Sequence, residues 1–172
     1  MKSNNMPYSY SLYKKEFKDH LVNRFANDIQ ILDVGCGSGG YFELLNLYYP
    51  NIDGIEIYPN YVQMFNLDTK YRRLIIGDIL QQDLSEWEYF IMGDVIEHMT
   101  YEEALQLIEK IHKTGKFMMV AVPYLFQQDE EYGNIHEIHK QPDLTKEIFL
   151  QRYSCMKFLF GDDNYGYFVN YD

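Results

Sequence analysis

The sequence predicts an α/β fold built on a mostly parallel sheet, and three observations carry that expectation. Short apolar strands alternate with amphipathic helical stretches from Ile29 to Pro123. The first strand runs into a glycine-rich turn, Gly35-Cys36-Gly37-Ser38-Gly39-Gly40. Each of the first three strands carries an acid at or just beyond its carboxyl end, namely Asp33, Glu56 and Asp78. Strand–helix–strand units close through right-handed crossovers, which puts a ligand at the carboxyl ends of the strands.

The elements follow in order. Residues 1–10 are expected to be flexible, with Met1 to Pro7 polar, and Ser11 is placed to cap a helix through Leu12, Phe17, Leu21, Val22 and Phe25. Ile29 to Val34 reads as a buried strand, and a helix spans Tyr41 to Leu47 until Pro50-Asn51 breaks the pattern. Ile52 to Ile57 is the second strand, and Tyr58-Pro59-Asn60 opens a helical stretch through Val62, Phe65 and Leu67. The third and fourth strands are Leu74 to Ile76 and Glu88 to Met92. Tyr101 to His112 is amphipathic, with Ala104, Leu105, Ile108 and Ile111 inward and Thr114-Gly115 as its stop. Lys116 to Val122 is the fifth strand, and Pro123 ends it. Gln127 to Pro142 is a polar connection of a length that is usually functional. Leu144 to Arg152 is the last helix, and Met156 to Phe160 with Tyr165 to Val169 form a hairpin around Gly161-Asp162-Asp163-Asn164.

Composition narrows the function. The chain has 172 residues, a net charge of −11 and 47% apolar residues, which suits one domain with a full core and no broad basic surface for nucleic acid. The two cysteines, Cys36 and Cys155, make no disulfide framework, and no apolar leader follows Met1, so a cytoplasmic location is expected. Apolar runs such as Phe117 to Val122 are strand-sized, so no membrane association is expected. The chain contains 17 tyrosines and one tryptophan. Tyr8, Tyr10, Tyr13, Tyr124 and Tyr132 are placed to line an entrance for a polar ligand, since a phenol offers both a ring face and a hydroxyl.

Glycines at 35, 37 and 39 let the backbone turn sharply and lie against a ligand. A carboxylate at Glu56 can accept two hydrogen bonds from a ribose diol, and Asp78 can receive an exocyclic amine while Ile79 packs on the ring. With Ile31-Leu32-Asp33-Val34-Gly35-Cys36-Gly37-Ser38-Gly39 and Asp94-Val95-Ile96-Glu97-His98-Met99, this set resembles the class I S-adenosylmethionine-dependent methyltransferases over about Ile29 to Pro123. The resemblance implies a Rossmann-like, seven-stranded sheet whose last two strands are the antiparallel C-terminal hairpin. It implies S-adenosylmethionine as cofactor, with Asp33, Gly35, Cys36 and Gly37 around the methionine end. Glu56 and Ile57 would then lie at the ribose, Asp78 and Ile79 at the adenine, and Asp94 beside them. The competing reading of a single acid such as Glu56 or Asp78 is a residue placed at a helix N-terminus.

Asp94, Glu97 and His98 follow the fourth strand, where a substrate meets the cofactor, and carboxylates with imidazole suit magnesium or manganese. Local scaffold is the other reading of this stretch. The segment from His139 to Phe149 resembles the downstream histidine of metal-dependent O-methyltransferases, which implies Asp94, Glu97, His98 and His139 as ligands, with Asp94 where those proteins carry Glu. A divalent ion would activate a hydroxyl of a small polar diol, most naturally a sugar or glycan. Without metal, His98, His136 or His139 is the candidate base, with Asp94 beside the reacting groups. An ordinary histidine pKa predicts that binding or activity fails below about pH 6. The alternatives are a catechol or quinone precursor, an RNA ribose, or a non-catalytic cofactor-fold protein, and a monomer or homodimer is expected.

Overall fold

The computed structural model describes residues 11–172. Seven strands form one sheet in the order β3-β2-β1-β4-β5-β7-β6. They are β1 (Ile31–Val34), β2 (Ile52–Glu56), β3 (Leu74–Ile76), β4 (Tyr89–Gly93), β5 (Phe117–Pro123), β6 (Lys157–Gly161) and β7 (Tyr165–Val169). The first five run parallel, and β7 pairs antiparallel with both β5 and β6. The expected mostly parallel sheet and terminal hairpin are both present. Because β2 lies on one side of β1 and β4 on the other, strand order reverses at β1, which is where open α/β sheets leave a crevice.

Alternation along the central strands divides the core. Leu32, Val34, Phe90, Met92, Val120 and Val122 face one cluster, packed under α4 (Tyr101–Lys113) and α5 (Lys146–Arg152). Ile31, Tyr89, Ile91, Met119 and Ala121 face the other, under α1 (Lys14–Arg24), α2 (Gly40–Leu45) and α3 (Asn60–Phe65). Among the described residues, no helix is long and apolar enough to cross a membrane.

Several expectations need correction. Ser11 does not cap α1: Tyr13 holds that position in a left-handed conformation, without a side-chain cap. Leu12 and Val22 are exposed, and only Phe17 and Leu21 bury, because the short helix rests on the rings of Tyr41 and Tyr167 through Phe17. Leu107 is inward on α4 and Leu105 only partly so, and a capping box of Thr100 and Glu103 starts that helix. The tyrosines mostly serve packing. Tyr41, Tyr49, Tyr61, Tyr71, Tyr89, Tyr165 and Tyr167 are buried in the second cluster, where paired hydroxyls such as Tyr41 with Tyr167 satisfy one another. Tyr8 and Tyr10 lie outside the described residues, and Tyr13 packs on Phe160 and donates to Asp162.

Asp53, in the middle of β2, has no solvent exposure. Arg72 donates to it in a two-pronged grip at 2.8 and 2.9 Å, Arg73 donates at 3.0 Å, and the Trp87 indole donates at 2.9 Å. Removing the carboxylate leaves the indole donor buried and the guanidinium pair without its anion. Asp53→Ala is therefore expected to lower the unfolding free energy by about 3 kcal/mol in urea titration. A loss below about 1 kcal/mol would show that water replaces the carboxylate.

Candidate active site

The glycine turn leaves β1 with Gly35 at φ 58° and Gly37 at φ 51°, a region costly for any residue with a Cβ. A Cβ on Gly35 would also stand 2.9 Å from Cγ2 of Val95. Glu56, at the end of β2, fastens this turn: its carboxylate accepts from Gly37 N–H and Tyr58 N–H, each at 2.9 Å. Burial pushes the Glu56 carboxyl above its ordinary range, against the pull of those two N–H groups. Asp33 is buried and accepts from the Tyr71 hydroxyl at 2.6 Å, and burial pushes its pKa up to about 7. Cys36 is buried and its thiol is pushed far up by burial, which makes it inert.

One carboxylate oxygen of Asp78 accepts from Leu80 N–H at 2.9 Å and caps the 3-10 turn Ile79–Gln81. The capping reading and the binding reading of this acid thus coexist, because its other oxygen is not used by the cap. Ile79 is buried in the core and Ile57 is exposed. The glycine turn, Asp33, Glu56, Ile57, Asp78 and Ile79 line one cavity of about 1170 Å³ at the carboxyl ends of β1 to β4.

Across this cavity lies a second group. Glu97 and His98 sit on a 3-10 turn (Ile96–His98) after β4, and His139 arrives from the long connection between β5 and α5. A potential ligand atom from each of the three lies within 4.8 Å of the others. Both Glu97 oxygens and the His98 Nδ1 are buried without a hydrogen-bond partner. Burial, then the Asp94 charge, pushes the Glu97 carboxyl well above its usual range. Burial and the neighbouring His139 drive His98 down to about 3, and burial lowers His139 as well. The His139 Nδ1 sits 2.8 Å from the Phe126 carbonyl, which can only accept, so Nδ1 carries the proton and Nε2 keeps its lone pair.

The connection is held in place by its backbone. Lys140 and Gln141 N–H both donate to the Glu97 carbonyl, at 2.8 and 3.1 Å, and the buried Gln141 amide donates to the Ile96 carbonyl at 2.9 Å. His139 is thereby set against Glu97 and His98. Asp94 is not one of the three: its carboxylate accepts from the Tyr165 hydroxyl at 2.8 Å. Its backbone is left-handed, at φ 55°, a strain for a non-glycine residue that aims it into the cavity between the two groups. His136 lines the cavity but is exposed and outside the cluster. Tyr124 lines the cavity, whereas Tyr13 and Tyr132 do not. Sequence reasoning passed over Lys14 and Gln141, since neither stands in a motif.

The sequence profile of a methyltransferase domain family matches residues 32–120, just over half of the chain. The chain belongs to this family. It is a class I, Rossmann-like methyltransferase domain, and its cofactor is S-adenosylmethionine. Among solved structures it is similar to the amino pentose methyltransferase CalS10 of Micromonospora echinaspora, with a TM-score of 0.66 and 13% identity over 95% of this chain and 92% of that one. The sugar N-methyltransferase KedS8 of a Streptoalloteichus species gives 0.64 and 13% over 98% and 94%. The pyocyanin biosynthetic protein PhzM gives 0.63 and 15% over 92% of this chain, which spans only 53% of that one. At these identities the likeness establishes the fold. No curated protein matches the sequence.

The turn fits the cofactor because a Cβ at Gly35 would be strained and would crowd Val95 beside the cavity. Glu56 retains acceptor capacity beyond its two backbone bonds. Glu56→Ala is expected to weaken S-adenosylhomocysteine binding by about 2 kcal/mol in calorimetry, through lost ribose contacts and a loosened Gly37. An unchanged dissociation constant in a folded variant would remove Glu56 from the site.

Proposed function

We infer that this domain transfers the methyl group of S-adenosylmethionine to a hydroxyl of a small polar diol, best read as a sugar or glycan. In this reading a divalent cation, magnesium or manganese, is held by Glu97, His98 and His139, with Asp94 adjoining. The observation that carries it is the Glu97 carboxylate, buried beside the cofactor cavity with both oxygens unpartnered, next to an unpartnered His98 nitrogen. Such groups are costly to bury unless something compensates them, and two imidazoles with carboxylates form a donor set suited to a divalent ion. When bound, the ion lowers the pKa of an alcohol it holds.

The remaining work falls to the chain. Phe126 fixes the tautomer of His139, and Tyr165 holds the strained Asp94. The glycine turn and Glu56 position the donor. A sugar acceptor is supported by the carbohydrate methyltransferases among the similar structures and by a cavity combining Tyr124, Gln128 and Asn134 with its acids. The depressed pKa of His98 argues against that residue as the general base, because so weak a base accepts a hydroxyl proton poorly.

The same pKa directions revise the expected pH dependence. His98 and His139 titrate below the ordinary histidine range, so the histidine limb lies further to the acid side than about pH 6. Glu97, whose carboxyl burial and the Asp94 charge hold well above its usual range, is the group that exchanges a proton for the ion. Below its raised pKa, manganese affinity should climb with pH by up to about tenfold per unit, with roughly one proton released per ion. Calorimetry in buffers of different ionisation enthalpy measures that release. In Glu97→Gln affinity should fall and the pH slope should flatten. Methyl transfer to a diol should stop with a chelator and return with manganese. Full activity in the chelator, with no manganese binding, would sink the metal reading.

A further inference from the structure

The connection that carries His139 also crosses to the far wall of the cavity. Its ends are drawn together where His139 N–H donates to the Gln128 carbonyl at 3.0 Å, and behind them Leu125 N–H donates to the Leu144 carbonyl at 2.8 Å. The chain between Gln128 and His139 is therefore a compact loop with a closed base. Its tip turns where Asn134 N–H donates to the Glu131 carbonyl at 2.7 Å, with Tyr132 left-handed at φ 53°. Asn134 is buried, so the tip rests on the protein.

The wall it rests on is α3 and the turn before it. Tyr61, buried on α3, donates to Glu137 Oε1 at 2.7 Å, and Tyr58 donates to the Tyr132 carbonyl at 3.2 Å. Tyr58 is also tied by its N–H to Glu56 at the end of β2. Gln128, Asn134 and Glu137 of the loop line the same cavity as Glu56, Ile57 and Tyr61 of the wall, and the Glu137 charge reaches Glu56 across that space. The two tyrosine hydroxyls thus bridge the cavity beside Glu56. We propose that the bond between Tyr61 and Glu137 is a latch that closes this loop over the cofactor, so that the cofactor enters and leaves only when the latch opens. Both partners belong to the chain, so the latch forms with or without ligand and slows entry and exit alike. The proposal rests on the S-adenosylmethionine assignment above and is independent of the cation.

Surface plasmon resonance of S-adenosylhomocysteine on the immobilised full chain reads both rate constants. Tyr61→Phe removes one hydroxyl and should raise association and dissociation together by about fivefold to tenfold, while the dissociation constant stays within about twofold. Glu137→Ala cuts the same bond from the other side and should act in the same direction, with the double variant no faster than the faster single one. Thermal melting identifies the folded variants, and either single variant suffices for the test. Unchanged rate constants in a folded variant would overturn the latch and leave the cofactor assignment standing. A rise in dissociation alone, with affinity lost to match, would also overturn it, because these residues would then be cofactor contacts and not a gate. Loss of the folded state in both single variants would do the same, since the bond would then serve stability. If the wild type does not bind S-adenosylhomocysteine, the cofactor assignment itself falls, and the latch falls with it.

Discussion

The Glu97 carboxylate, buried without a hydrogen-bond partner, is the constraint around which this site is organised. Its backbone carbonyl accepts from Lys140 and Gln141 N–H, so the residue that carries the unsatisfied charge also anchors the segment bearing His139. Gln141 is gripped in turn by the Tyr153 hydroxyl at 2.9 Å and by Arg152 at 3.1 Å, both from the end of α5. The last helix thus holds one wall of the cluster. Protonation relieves Glu97 in the absence of a cation, and a cation relieves it better, because the adjoining imidazoles are already neutral.

The sheet determines where this cluster meets the cofactor. Strand order reverses at β1, so the glycine turn and the turn after β4 open onto the same crevice. Glu56 ties the glycine turn to β2, and Val95 packs against Gly35 from the β4 side. Asp94 stands between the two halves in a strained conformation held by Tyr165 of β7, which makes the terminal hairpin part of the site. A reaction joining a donor in one half to an acceptor in the other needs this alignment of reacting groups.

Much of this was legible in the sequence, for identifiable reasons. Buried parallel strands read as short apolar runs, and the acids Asp33, Glu56 and Asp78 mark their ends through side chains that face a cavity. The amphipathic α4 was legible from its spacing, although Leu107 took the inward place expected of Leu105, because Ala104, Leu107, Ile108 and Ile111 make the i, i+3, i+4, i+7 stripe. Tyrosine content was a poor guide, because a buried phenol paired with another phenol leaves the same composition as one lining an entrance. Lys14 and Gln141 were illegible because their meaning comes from long-range partners. A lysine on a charged helix turns into a cavity only once Tyr41 and Gly40 are beside it, and a polar glutamine becomes a brace only when Ile96 and Tyr153 close around it.

In the function proposed above, Glu97, His98 and His139 form a cation site next to the methyl donor. Crystals grown with manganese and S-adenosylhomocysteine, measured at wavelengths on both sides of the manganese absorption edge, test it most directly. One anomalous peak is expected within coordination distance of a Glu97 oxygen and two imidazole nitrogens, close to the sulfur of the cofactor product. Well-defined cofactor density with no anomalous peak among these three side chains would contradict it.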